Sequence, residues 1–175
     1  RLGLGRPELR AWAMYDWANS AFATTVMAAV LPVYFARVAA AALPAHVATA
    51  YWGFTASLSL LVIALASPFL GAMGDYLGAK KRFLAAFLTV GTVATAALAL
   101  VGPGDWLLAA GLYLLGNIGF SGSIIFSDSL LPHIARPDEI DRVSSGGWAL
   151  GYLGGGLLLA FNVALLTAPQ FFGLA

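Results

Sequence analysis

The chain has 175 residues, 61% of them hydrophobic and 10% charged, with a formal net charge of +1 and no cysteine. An ordinary soluble domain carries about 25% charged residues, so water is not the main solvent of this chain. Without cysteine there are no disulfides, thiolate metal sites or cysteine nucleophiles, and without a long basic stripe there is no reason to expect nucleic acid as a partner.

The apolar residues fall into five blocks, each about the twenty residues needed to cross a hydrocarbon core of about 30 Å. The expected fold is an all-α membrane protein of about five transmembrane helices, because lipid-exposed strands would be about ten residues long and alternating. The first block, 12–35, carries Asp16, Asn19, Ser20 and Thr24 on one side and Pro32 in its interior. It is too long and too polar for a signal peptide and shows no cleavage site, so it is read as retained. The second block, 48–73, contains Pro68, where a missing backbone N–H is expected to kink the helix. The third, 83–101, has only Thr89, Thr92 and Thr95 for side-chain polarity and is expected to face lipid. Gly102, Pro103, Gly104 and Asp105 then form a turn so tight that its flanking helices must be antiparallel.

In the fourth block, 106–131, Tyr113, Asn117, Ser121, Ile124 and Asp128 recur at steps of four, four, three and four, which puts them on one helix face. The fifth, 143–166, repeats Gly147, Gly151 and Gly155 at four-residue spacing, widened by Gly154 and Gly156, so another helix can approach it closely. Thr167 to Ala175 read as loop. The chain starts at Arg1 without Met and its spans are odd in number, so it is expected to be truncated at both ends.

Basic residues set the orientation, since cytoplasmic flanks collect them. Arg1, Arg6 and Arg10, then Lys80, Lys81 and Arg82, then Arg136 and Arg142 all fall on one side, and only Arg37 falls opposite. The amino terminus is therefore expected in the cytoplasm.

Polar residues inside the blocks are the informative exceptions, because a carboxylate at mid-membrane costs about 2.5–3.5 kcal/mol on insertion scales. Asp16 has two readings. It sits near the amino end of its helix, where the dipole favours a negative charge, or it lines a cavity with Asn19 and Thr24. Asp128 sits near a carboxy end, where the dipole opposes it, so a cationic partner or a proton is required. Tyr113, Asn117 and Ser121 either line a cavity shared with the first span or hydrogen-bond across a helix interface. The glycine stripe suits static packing or a surface on which helices slide.

The loop after the second block runs Gly71-Ala72-Met73-Gly74-Asp75-Tyr76-Leu77-Gly78-Ala79-Lys80-Lys81-Arg82. It resembles the major facilitator signature, Gly-x-x-x-Asp-basic-x-Gly-basic-basic, in position, side and spacing, with Tyr76 and Ala79 standing where that family usually has Arg or Lys. Ala13-Met14-Tyr15-Asp16-Trp17-Ala18-Asn19-Ser20-Ala21-Phe22 resembles the opening of the autophagy-related vacuole effluxer family, and Arg142 to Gly156 is similar to its fifth span.

The resemblance implies about twelve spans in two halves, of which this chain is part of the amino-terminal six-helix bundle. It also implies alternating access around a site completed by the missing carboxy-terminal half, with efflux of amino acids or related small solutes. Transferred to these residues, Gly71 packs closely against that half and Asp75 faces a helix amino end there. Lys80 or Lys81 pairs with Asp128 as a cytoplasmic latch, and Asp16 is a candidate for a coupling proton. A bacterial plasma membrane is the expected location.

One rival comes from another class. Gly119-Phe120-Ser121-Gly122 matches the Gly-x-Ser-Gly pattern of rhomboid-type intramembrane proteases. A serine nucleophile needs a base within hydrogen-bond reach, and the two histidines, His46 and His133, lie in or beside loops. A channel or purely structural bundle is the remaining alternative. No cluster at metal-ligand spacing and no phosphate-binding loop occurs, so no cofactor is expected.

Overall fold

The structure, a computed structural model, describes residues 3–173. Arg1, counted above among the basic flanks, lies outside the described residues, as do the last two residues of the expected terminal loop. Five helices are long and apolar enough to cross a membrane: α1 (Pro7–Ala39), α2 (Ala45–Leu77), α3 (Lys80–Leu100), α4 (Trp106–Ile134) and α5 (Ile140–Thr167). A short 3-10 turn, Pro169–Phe172, occupies part of the segment read as loop.

Most helices overrun their apolar blocks because backbone hydrogen bonding continues past the last lipid-compatible residue until a specific stop intervenes. Helix α1 opens on Pro7, whose missing N–H costs nothing in the first turn, with Glu8 beside it favoured by the dipole. Helix α2 ends at Gly78, whose φ of +60° places it in the left-handed region that glycine tolerates. The turn before α4 is closed by the Gly102 N–H donating to Asp105 Oδ2 at 2.9 Å.

Pro32, Pro68 and Pro132 all lie inside helices, and the first two are accommodated in different ways. Pro32 is flanked by π-helical runs at Phe22–Val30 and Phe35–Ala39, a widening that gives its ring room against the preceding turn. Pro68 cannot donate to the Ala64 carbonyl, and the Ser67 hydroxyl donates to that carbonyl instead at 3.2 Å.

The chain divides into two compact units, one from the residues up to Leu31 with those from Leu131 on, the other from Pro32–Leu130. In the first unit the amino part of α1 packs along α5, over a core of Leu9, Trp12, Ala13, Leu131, Ala135 and Val143. The second unit contains α2, α3 and most of α4. One of its cores gathers Phe35, Ala39, Ala48, Val101 and Ala109, and the Tyr34 hydroxyl donates to the Val101 carbonyl at 2.7 Å. The third span is not wholly turned to lipid: Gly91 of α3 meets the backbone of α4 at Gly119.

Candidate functional site

In the first unit, the polar face of α1 lies directly on the glycine stripe of α5. The Trp12 ring covers Gly147, the Asp16 carboxylate and the Ser20 hydroxyl cover Gly151, Trp17 covers Gly154, and Thr24 covers Gly155. Each glycine is needed because a Cβ would overlap the side chain above it; at Gly155 it would fall 2.7 Å from the Thr24 methyl. Thr24 adds a polar tie, its hydroxyl lying 3.0 Å from the Ser20 carbonyl within α1 and 3.1 Å from the Gly155 carbonyl of α5. A single proton on that hydroxyl is shared between two acceptors.

Two features read separately from the sequence thus form one interface: the polar positions of α1 are seated in the notches of α5. Asn19 lies on the same helix with its Nδ2 buried and, among the described residues, without a hydrogen-bond acceptor.

In the second unit, Tyr113 and Asn117 face α2. The Tyr113 ring lies 4.5 Å from the Trp52 ring, centroid to centroid, and Asn117 Nδ2 donates to Ser59 Oγ at 2.7 Å. The proton of Ser59 is committed to the Ala56 carbonyl at 2.8 Å, so its oxygen can only accept, which fixes the orientation of the amide. Asn117 is 1% exposed, and its Oδ1 has no donor among the described residues. Ser121 and Ile124 are half-buried and Asp128 is exposed. Between them, Gly119 and Gly122 take the backbone of α3 and the ring of Phe87.

The signature loop forms a clasp. Gly78 turns the chain back so that Lys80 Nζ reaches Asp75 Oδ1 at 2.6 Å, although five residues separate them. The same ammonium donates to the Ser129 carbonyl of α4 at 3.2 Å, one residue beyond Asp128. A cation near the carboxy end of α4 complements its dipole, and the Lys80 side chain is only 14% exposed, so the contact is shielded from water. The Asp75 side chain is 69% exposed. Lys81 is exposed. Gly71 has open space where a side chain would stand, whereas Gly74 does not: a Cβ there would lie 2.7 Å from the Phe126 ring.

Sequence reasoning missed Ser59, Gly74 and Glu139. Ser59 and Gly74 are single small residues in an apolar run, and nothing local marks their partners on α4. Glu139 stands between Asp138 and Ile140 and has the look of a solvated loop acid, yet its side chain is only 13% exposed. It accepts from the Arg136 N–H at 3.0 Å and pairs with both Arg136 and Arg6. That N–H, followed by the two guanidiniums, holds its carboxyl below the usual carboxylate range. Among the described residues, no group of three or more potential ligands could hold a metal ion.

Comparison with known proteins fits this architecture. The profile of the family described as "Vacuole effluxer Atg22 like" matches residues 42–172. The chain is 36% identical over 160 residues to the uncharacterised MFS-type transporter YxiO of Bacillus subtilis (strain 168), an alignment covering 91% of this chain and 37% of that protein. It is 26% identical over 176 residues to autophagy-related protein 22 of Coccidioides immitis (strain RS), covering 76% of this chain and 29% of that relative. The chain therefore spans between about 29% and 37% of the length of these relatives. They belong to transporter families, not to enzymes. No solved structure matches the chain.

Proposed function

Because this chain belongs to the Atg22-like vacuole effluxer family, we propose that it is part of a secondary active transporter that moves small solutes, amino acids among them, by alternating access. It supplies amino-terminal spans of a six-helix bundle, and a carboxy-terminal half of the same protein completes the substrate path. The similarity to a bacterial MFS-type transporter favours a bacterial plasma membrane, and the basic flanks favour a cytoplasmic amino terminus.

The observation that carries this reading is the Lys80 clasp. A transporter that opens alternately to either side needs a contact that makes and breaks at one face. Lys80 pairs with the Asp75 carboxylate and donates to the Ser129 carbonyl, whose neighbour in sequence is a second carboxylate, Asp128, so small rearrangements can redistribute its bonds. Gly71, with open space above it, is where the other half packs closely, and the carboxylate of Asp75 faces a helix amino end there.

Within the membrane, Asp16, Asn19 and Thr24 on α1, and Tyr113, Asn117 and Ser121 on α4, supply polar groups for the solute path. Asp16 is the group to carry a coupling proton. Replacing Asp128 by Asn tests the reading: amino-acid uptake into liposomes by the intact protein is expected to fall severely with membrane insertion unchanged, and full uptake would refute the clasp's role. Uptake that ignores an imposed proton gradient would remove Asp16 from coupling.

A further inference from the structure

We propose that Glu139 is a positioning residue: it clamps the arm Gly3–Arg6 onto the turn between α4 and α5, so that α1 and α5 move as one body during transport. The transport part of this proposal rests on the function proposed above; the clamp itself does not.

Glu139 is the hub of its cluster. Its carboxylate accepts the Arg136 N–H, pairs with the Arg136 guanidinium at 3.2 Å and pairs with the guanidinium of Arg6. Charge-assisted bonds of this kind are about twice as strong as neutral ones. The outer acids contribute little, since Glu8 stands 3.7 Å from Arg6 and Asp138 3.6 Å from Arg136 in exposed pairs. The backbone of Glu139 begins α5, its carbonyl accepting from the Val143 N–H at 2.9 Å. One residue therefore links the arm to the first turn of α5.

The arm is seated as well as paired. Leu4 packs against the core of Leu9, Trp12, Leu131, Ala135 and Val143. Gly3 has a φ of +74°, and a Cβ there would lie 3.3 Å from both Arg142 and Val143, so only glycine fits comfortably.

Beyond the clamp, five α1 side chains sit over four α5 glycines. Each of those glycines would clash with its α1 partner if it carried a Cβ, so the two helices are registered against each other along this seam, and the clamp lies at its end.

The chain has no cysteine, so a single Leu4→Cys substitution in the intact, membrane-embedded protein gives a clean reporter of arm release. Its labelling by a polar maleimide is expected to be several-fold faster with Glu139→Gln or Arg6→Gln. It should stay slow with Arg6→Lys, which keeps the charge, and with Asp138→Asn, which leaves the hub intact. In liposomes supplied with a radiolabelled mixture of amino acids, Glu139→Gln is expected to lower the maximal uptake rate several-fold while leaving the half-saturating concentration unchanged.

Unchanged labelling in both Glu139→Gln and Arg6→Gln would overturn the clamp. Faster labelling with an unchanged maximal rate would overturn the positioning role. If the parent protein moves none of the amino acids, the proposed function fails, while the labelling rates still uphold or overturn the clamp.

Discussion

The α1–α5 and α3–α4 contacts both depend on glycine, but for different reasons. Along α5, a methyl group would meet side chains: Trp12, Asp16, Trp17 and Thr24. Where α3 crosses α4, a methyl group on Gly119 would meet the backbone of Gly91 and, at 2.8 Å, the carbonyl of Phe87. Side chains can rotate away from an intruder; backbone cannot. The first contact is therefore adjustable in detail, and the second has an unyielding point at Gly91 and Gly119, from which Phe83 and Phe87 continue it along α4 against Phe126 and Gly122.

Gly119→Ala attacks the rigid contact and should have the largest effect. With no side chain to yield, overpacking is expected to cost about 3 kcal/mol, read as a large drop in melting temperature of the purified protein. Gly151→Ala attacks the adjustable one and should cost about 1–2 kcal/mol, because Asp16 and Ser20 can turn aside. Gly156→Ala, where nothing lies within 4 Å, is the control and should change stability by less than about 0.5 kcal/mol. Equal losses at positions 119 and 151 would erase the distinction between the two contacts.

A smaller effect is expected at Asn117. Its bond to Ser59 is worth about 1 kcal/mol, a typical interhelical value in membranes, so Asn117→Ala should destabilise only modestly by the same melting assay. Removing the amide also removes an acceptor that has no donor among the described residues, which limits the loss further.

The smallest effect concerns pH and the first unit alone. The carboxyl of Glu139 is held below its ordinary value of about 4.3, so its stabilisation is complete above that value and is lost as pH falls through the lowered one. The groups facing it are Arg6 and Arg136, with Glu8 and Asp138 at the rim. The parent should melt higher than Glu139→Gln at neutral pH, and the two should converge only once the pH falls below the ordinary carboxylate range. A difference that persists unchanged to pH 3 would mean that the charge of Glu139 does not stabilise the turn.

The same contrast explains what the sequence disclosed. Five helices were legible because length and hydropathy are one-dimensional properties, and the α5 stripe was legible because Gly147, Gly151 and Gly155 repeat with the helix. Gly91 and Gly119 were not, since Gly91 stands alone on α3 and the α4 glycines at 111, 116, 119 and 122 keep no four-residue repeat, and Gly119 was read instead as part of a serine motif. The polar face of α4 was located by its spacing, but spacing cannot say that Asn117 is engaged with Ser59, fifty-eight residues away. Likewise Lys80 was marked as a latch, while its bond to Asp75 depends on the left-handed turn at Gly78, which folds the motif back on itself.

The most direct test of the account is gradient-driven uptake by the intact protein in liposomes, comparing the parent with Lys80→Gln. If the clasp between the signature loop and α4 is part of the transport cycle, the parent accumulates amino acids and Lys80→Gln, inserted to the same level, accumulates almost none. Equal accumulation by the two proteins would contradict it.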